Sequence, residues 1–430
     1  MWDFETEPEY QAKLDWADAF VREEVEPLDY VIEHSADIRN PLWQELVPPL
    51  QEKVKAQGLW ATHLGPELGG PGDGQVHLAL LNEILGRSHL GPMVFGCAAP
   101  DTGNAEILAH YGTAEQKERW LTPLLANKVT SAYSMTEPHA GADPKVLRTS
   151  AYLDGDEWVI NGEKWFTSNA RWADFMIMFV VTEPDNPPYQ RASMFIVPTD
   201  TPGIETVRDV GLAFDREGEG SEAYLRMTDA RVPRENLLGD RGQAFVVAQT
   251  RLGGGRIHHA MRTVGLVQRA FDMMCERAIS RETQGEILAN KQLVQEMIAD
   301  SWIEMEQFRL FVMRTAWRID QYSDYKRVRA DIAAVKAAMP KVLNNVATRA
   351  LQVHGALGVT NEMPFVAMIL NALVMGLGDG PTEVHKITVA RQLTSRYQPS
   401  PDIFPSRHIP RLRAEARVRY ADVLANHTID

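Results

Sequence analysis

The chain has 430 residues, 44% of them hydrophobic, and a formal net charge of −14. That apolar content supports a substantial core spread over two or three packed units, and the acidic balance argues against general nucleic-acid binding and adhesion to anionic membranes. The two cysteines, Cys97 and Cys275, form no CxxC pair, which argues against a disulfide framework or a cysteine zinc site and fits a reducing compartment.

The acidic start, Met1 to Glu9, has neither the basic start and apolar run of a secretory signal nor the arginine-rich character of a transit peptide. No uncharged apolar run approaches the ~20 residues of a membrane span. The expectation is a cytoplasmic protein. Residues 1–130 read as a helical domain, with Leu78, Leu81, Ile84 and Leu85 on one helical face and a Gly/Pro-rich loop over 65–74. Residues 131–241 read as a β domain, with Phe175–Thr182 and Ala192–Val197 as buried strands and Asn161-Gly162 as a tight turn between strands. Helical periodicity returns over 242–397. One stripe is Val264, Val267, Phe271, Met274 and Ala278; a second is Val294, Met297, Ile298, Trp302 and Met305. The tail, 398–430, carries Arg407, Arg411, Arg413, Arg417 and Arg419 and reads as a solvated or subunit-contacting helix. The fold class is mainly α with a central β domain, and the meeting place of the units is where a ligand pocket is expected.

Three segments carry chemistry. Gly376-Leu-Gly-Asp379-Gly-Pro381 sets one short acid between glycines just before a helix that Pro381 can start. Asp379 is therefore either aimed into a space or simply a helix N-cap. Tyr133 to Asp143 runs from a strand into a Pro/Gly turn, where amides and the Thr136 hydroxyl could bond a polar ring edge. In Ile160 to Asn169, aromatics (Trp165, Phe166) adjoin hydroxyls (Thr167, Ser168), which suits a flat heteroaromatic ring, though aromatic strand residues are more often core. Paired histidines, His258 and His259, read as packing or surface residues, with a ligand-facing role as the alternative.

Taken in order, Thr136-Glu-Pro, Asn161-Gly-Glu-Lys, Phe195-Ile-Val, Val232-Pro-Arg-Glu-Asn236, Arg281, Gln352 to Gly358 and Ala390-Arg391 resemble the acyl-CoA dehydrogenase family over essentially the whole chain to Arg391. The likeness is to the branch with Arg251-Leu-Gly-Gly-Gly-Arg-Ile-His-His259 and an aspartate at the base position. It implies an N-terminal helical domain, a β-barrel-like middle domain and a C-terminal four-helix bundle. It also implies FAD, bound without a Rossmann fingerprint. By resemblance, Tyr133, Met135 and Thr136 line the flavin, with Gly141 on the same side. Phe166 stands where the family usually has Trp, and Ser168 where it has the Thr that serves flavin N5. Arg281 meets the FAD pyrophosphate of a neighbouring subunit, a task suited to a guanidinium. Gln292, Gln352 and Gly355 follow on that side, and Thr382 and Glu383 join the cofactor set.

The resemblance makes Asp379 the base that takes an α-proton, with its backbone N–H on the enolate oxygen, and Ala142, Gly255, Arg256 and Gly380 the substrate side. Ala142 replaces a serine that bonds the CoA arm in many relatives. Gly255 occupies the position where some relatives carry the acid. Burial beside an apolar substrate is expected to raise the acid's pKa, and the glycines at 253–255 to leave a roomy channel. The implied reaction is FAD-dependent α,β-dehydrogenation of an acyl-CoA thioester, electron-transfer flavoprotein being the acceptor. The implied assembly is a homodimer or homotetramer, since FAD is shared. Two rivals remain: a flavin oxidase such as a nitroalkane oxidase, which also uses an aspartate, and a DNA-associated flavoprotein, supported only by the arginine-rich tail.

Overall fold

A computed structural model describes residues 5–66, 70–213 and 215–427. Residues 67–69 of the expected 65–74 loop lie outside the described residues. The N-terminal part is helical: α1 (Pro8–Phe20), α2 (Pro41–Ala56), α3 (Gly74–Leu85) and α4 (Asp101–Tyr111). Helix α2 starts where Asn40 accepts from Leu42 N–H at 2.9 Å and Pro41 takes the first helical position. In α3, Leu78, Leu81 and Leu85 are buried, as the helical period requires.

The middle part is an eight-stranded sheet. Its strands are β1 (Ser131–Ser134), β2 (Ser150–Asp154), β3 (Glu157–Ser168), β4 (Phe175–Val181), β5 (Ala192–Pro198), β6 (Ile204–Val210), β7 (Glu222–Pro233) and β8 (Leu237–Leu238). The order is β6-β7-β3-β2-β4-β5-β8, and β1 pairs with β4 in parallel. Every residue of β4 is buried because both faces are covered. Phe175, Ile177 and Phe179 pack with α4 and the next long helix, while Met176, Met178 and Val180 pack with β3 and β7. This explains the unbroken apolar run in the sequence.

Asn161-Gly162 does not turn between strands. Strand β3 continues through it, with a register shift against β7 between Ile160 and Gly162. Gly162 has φ +140°, and a Cβ there would lie 2.7 Å from the Thr149 Cα. The glycine marks a bulge and a close backbone approach. The hairpin turn is instead Gly155, at φ +60° between β2 and β3.

The C-terminal part contains α5 (Ala244–Ser280), α6 (Gln292–Tyr322), α7 (Arg329–His354), α8 (Phe365–Met375) and α9 (Thr382–Thr394). Val264, Val267, Met274 and Ala278 of α5 share one core with Met305 of α6 and Leu343 of α7. Trp302 departs from the expected stripe and is 54% exposed. Helix α10 (Ile409–Arg419) in the tail has no buried residue. No helix among the described residues is long and apolar enough to cross a membrane.

Candidate active site

The acid loop lies between α8 and α9. Thr382 closes it by donating its backbone N–H (2.9 Å) and hydroxyl (3.2 Å) to Gly376 O. Asp379 has φ +53° and Gly380 φ +97°. Aspartate tolerates that left-handed region better than most residues, and glycine enters it without a Cβ penalty. The Asp379 side chain is no helix cap: the cap of α9 is Pro381, with no side-chain bond. Its carbonyl accepts from Arg256 Nε at 3.0 Å and has His385 Nε2 at 3.3 Å. Among the described residues its own N–H has no hydrogen-bond partner.

The carboxylate reaches across to α5. A Cβ at Gly255 would sit 3.3 Å from Asp379 Oδ2. One turn before, Arg251 Nη1 is 3.9 Å from Oδ1; one turn after, His259 Nε2 is 3.6 Å from Oδ2. Burial pushes the Asp379 carboxyl up, as the sequence suggested. His259 facing it, with the positive charges of Arg251, Arg256 and Lys336, outweighs that and holds it below the usual aspartate value. The expected rise is thus reversed, because cations and not only apolar surface face the acid. His259 is held at about 4, chiefly by burial and then by Arg262, with Asp379 pulling the other way. Lys336 is pushed down to about 8 by burial, and its Nζ donates to Met375 O at the end of α8.

The glycines do not leave the expected empty channel. A Cβ at Gly253 would meet the Tyr325 ring at 3.3 Å, and one at Gly254 would meet Glu106 Oε2 at 2.8 Å. Each glycine admits a different neighbour, and burial raises Glu106 to about 8. The two histidines also part company. His258 is buried and edge-on to His63, with ring centroids 6.4 Å apart, whereas His259 faces the acid.

On the opposite wall, Arg251 lies 3.9 Å from the Tyr133 ring centroid and donates to Asn104 Oδ1 at 3.0 Å. One buried arginine therefore spans from the expected flavin wall to the acid. Met135 and Thr136 leave β1 along β3: Trp165 N–H donates to Thr136 O at 2.8 Å, and Lys164 Nζ donates to Met135 O at 2.9 Å and Glu137 Oε1 at 3.0 Å. Burial drives Lys164 down to about 8 despite the Glu137 charge. Glu137 also receives Arg148 and Thr149 amides, and these with Lys164 hold it below its ordinary value against the effect of burial. The Glu and Lys of two sequence motifs are thus one buried ion pair that fixes the wall. Gly141 and Ala142 lie beyond it, exposed.

Phe166 has φ +54°, is 49% exposed, and stacks on Trp165 with centroids 5.1 Å apart. Among the described residues, the buried Trp165 Nε1 has no hydrogen-bond partner. A flat aromatic face beside an unused donor fits a polar heteroaromatic ring. The Ser168 hydroxyl, expected to be free for such a ring, donates to Glu222 Oε2 at 2.7 Å. Arg281 caps the C-terminal end of α5, exposed and without an ion pair among the described residues; Gln292, Gln352, Gly355 and Glu383 are likewise exposed. These residues suit a phosphate and polar groups. About 39 Å of helix, at ~1.5 Å per residue, separates Gly255 from Arg281. The chain therefore brings Asp379, Arg256, Gly255, Gly380 and Tyr133 together, and sets Arg281 far away with the adenosine-side candidates. Arg251 was not among the sequence candidates, His259 was read first as a packing or surface residue, and Lys336 was not singled out. The visible signal for the first two was their spacing of four on either side of Gly255.

Helical, sheet and helical units thus set a carboxylate across from an aromatic wall that suits a flat heteroaromatic ring. Profiles of the acyl-CoA dehydrogenase N-terminal, middle and C-terminal domains match residues 7–128, 132–221 and 242–394. The chain is 40% identical to the probable acyl-CoA dehydrogenase FadE2 of Mycobacterium tuberculosis, over 92% of this chain and 93% of that one. It is 38% identical to acyl-CoA dehydrogenase family member 10 of Mus musculus, over 86% of this chain but only 36% of the mouse protein. A solved family structure from Mycobacterium abscessus superposes with TM-score 0.84 at 35% identity, covering 92% of this chain and all of that one. The chain belongs to the acyl-CoA dehydrogenase family and is an FAD-dependent oxidoreductase.

Proposed function

We propose that the chain converts an acyl-CoA thioester to its trans-2-enoyl-CoA, with Asp379 as the base. The observation that carries this reading is the placement of the Asp379 carboxylate over Gly255, bridged by Arg251 to the Tyr133 wall. Asp379 takes the α-proton on a carboxylate oxygen. Its unpaired N–H donates to the thioester oxygen as negative charge develops there, and a preorganised donor of this kind lowers a barrier by a few kcal/mol (roughly 3). FAD, when bound, supplies the acceptor for the β-hydride. Tyr133, Met135, Thr136, Phe166 and Ser168 form the flavin side. Thr382 holds the acid loop closed, and Arg256 anchors its backbone.

Arg281, Gln292, Gln352 and Gly355 serve the phosphate and adenosine part of FAD belonging to a neighbouring subunit. The ~39 Å of helix between Gly255 and Arg281 supports a cofactor shared across a homodimer or homotetramer. The electron acceptor is an electron-transfer flavoprotein. Anaerobic mixing with a panel of acyl-CoAs and nitroalkanes tests the assignment. Bleaching of the flavin by an acyl-CoA is expected. Oxygen consumption with a nitroalkane and no bleaching by any acyl-CoA would contradict it and favour a flavin oxidase.

A further inference from the structure

The aspartate is held by a seat that the loop alone does not provide. Gly255 is its floor, since any side chain there would crowd Oδ2 at 3.3 Å. Arg251 and His259 rise on either side, one helical turn away in each direction. The imidazole is oriented from behind. Arg262 Nη2 lies 3.3 Å from His259 Nδ1, and a guanidinium can only donate, so Nδ1 accepts. In the neutral ring the proton then sits on Nε2, the atom that faces Asp379 Oδ2 at 3.6 Å. Arg262 is itself fixed by the Cys97 carbonyl at 3.2 Å and Asn82 Oδ1 at 3.5 Å. A separation of 3.6 Å is just beyond a hydrogen bond, and catalytic contacts commonly tighten when a ligand closes the site.

We propose that His259, its tautomer set by Arg262, is a positioning residue that holds the Asp379 carboxylate in the Gly255 notch for proton abstraction. The inference rests on Asp379 being the base. It accounts for the exchange of acid and glycine: where some relatives carry the acid on this helix, this chain has a floor on which the loop acid rests. The other groups facing Asp379 are Arg251 and Arg256 from α5, Lys336 from α7, His385 from α9 and Tyr133 from β1. Facing His259 are Arg262, Arg251 and His258 from α5 and Lys336 from α7. All remain in a His259 variant, so a change in the acid limb reports the imidazole alone.

The test is rapid anaerobic mixing of acyl-CoA with the FAD-loaded wild type, His259→Leu, His259→Gln and Gly255→Ala between pH 3 and 9, so that the acid limb of the low-lying Asp379 carboxyl falls inside the range, with melting temperatures alongside. His259→Leu should slow bleaching at pH 7 by roughly tenfold or more and raise the apparent pKa of the acid limb by about one unit. His259→Gln can place an amide N–H near the Nε2 position and should recover most of both. Gly255→Ala should melt higher, because alanine favours the helix, yet bleach roughly tenfold more slowly because the carboxylate is lifted from its floor. A wild-type rate and acid limb in His259→Leu would overturn the proposal. If that variant does not fold, Gly255→Ala decides: an unchanged rate overturns the proposal, and a slower but more stable enzyme supports it. Full activity of Asp379→Asn would remove the base itself; an inactive Asp379→Asn beside an unperturbed His259→Leu would leave the base standing and refute only the seat.

Discussion

Exchanging Lys164 for methionine would strand the Glu137 carboxylate in a site where both side chains are essentially unexposed. Breaking one partner of a buried pair costs about 3–5 kcal/mol, so Lys164→Met should lower the melting temperature strongly and loosen FAD by releasing Met135 and Thr136. A thermal melt within a degree of wild type would contradict that role. Asp379→Glu is the subtler change. The notch over Gly255 has no room for another methylene, since even a Cβ from the helix side approaches Oδ2 at 3.3 Å. The longer acid should reduce the rate of acyl-CoA-driven bleaching by roughly tenfold or more while FAD stays bound, because small misplacements of a base are costly. A faster reaction in Asp379→Glu would show that the seat is not tuned to aspartate.

At the scale of elements, the contact of α4 with α5 predicts a pH dependence. Burial raises the Glu106 carboxyl to about 8, against the Arg251 charge that lowers it. The unfolded chain ionises this group from about 4.5 upward, while the fold keeps it protonated. The unfolded state thus binds fewer protons in this window, and the Glu106 contribution to stability falls as pH rises from about 4.5 to 8, by roughly 5 kcal/mol in all. Glu106→Gln should flatten that part of the stability-pH curve; an unchanged slope in denaturant titrations would refute it. The helix–sheet–helix order was legible in sequence because 3.6-residue stripes and turn residues are local signals. The bulge at Gly162 was not, because Asn-Gly marks a turn only when the strand ends there, and here Thr149 crowds a strand that continues. Trp302 fell on an apolar stripe yet points outward, since period alone does not say how wide a face the bundle covers. The acid loop was legible in its glycines and Pro381. Its seat was not, because it depends on a tertiary meeting of the loop with α5, and only the spacing of Arg251, Gly255 and His259 hinted at it.

For the whole molecule, the long α5 joins two chemically different ends. Asp379 faces it near Gly255, and Arg281 terminates it about 39 Å away at ~1.5 Å per residue. If Arg281 holds the phosphates of a neighbouring subunit's FAD, Arg281→Glu should fold with a normal melt once apoprotein is compared with apoprotein. It should nevertheless lose most of its bound flavin, read as the ratio of 450 to 280 nm absorbance, with the expected loss on the order of tenfold in FAD affinity. Wild-type flavin content in that variant would contradict a shared cofactor. The central claim, that Asp379 removes the α-proton, is tested most directly by anaerobic flavin bleaching with an acyl-CoA in wild type and Asp379→Asn at matched FAD loading. The account predicts rapid bleaching in the wild type and a rate lower by about 10³-fold in the variant; equal rates would contradict it.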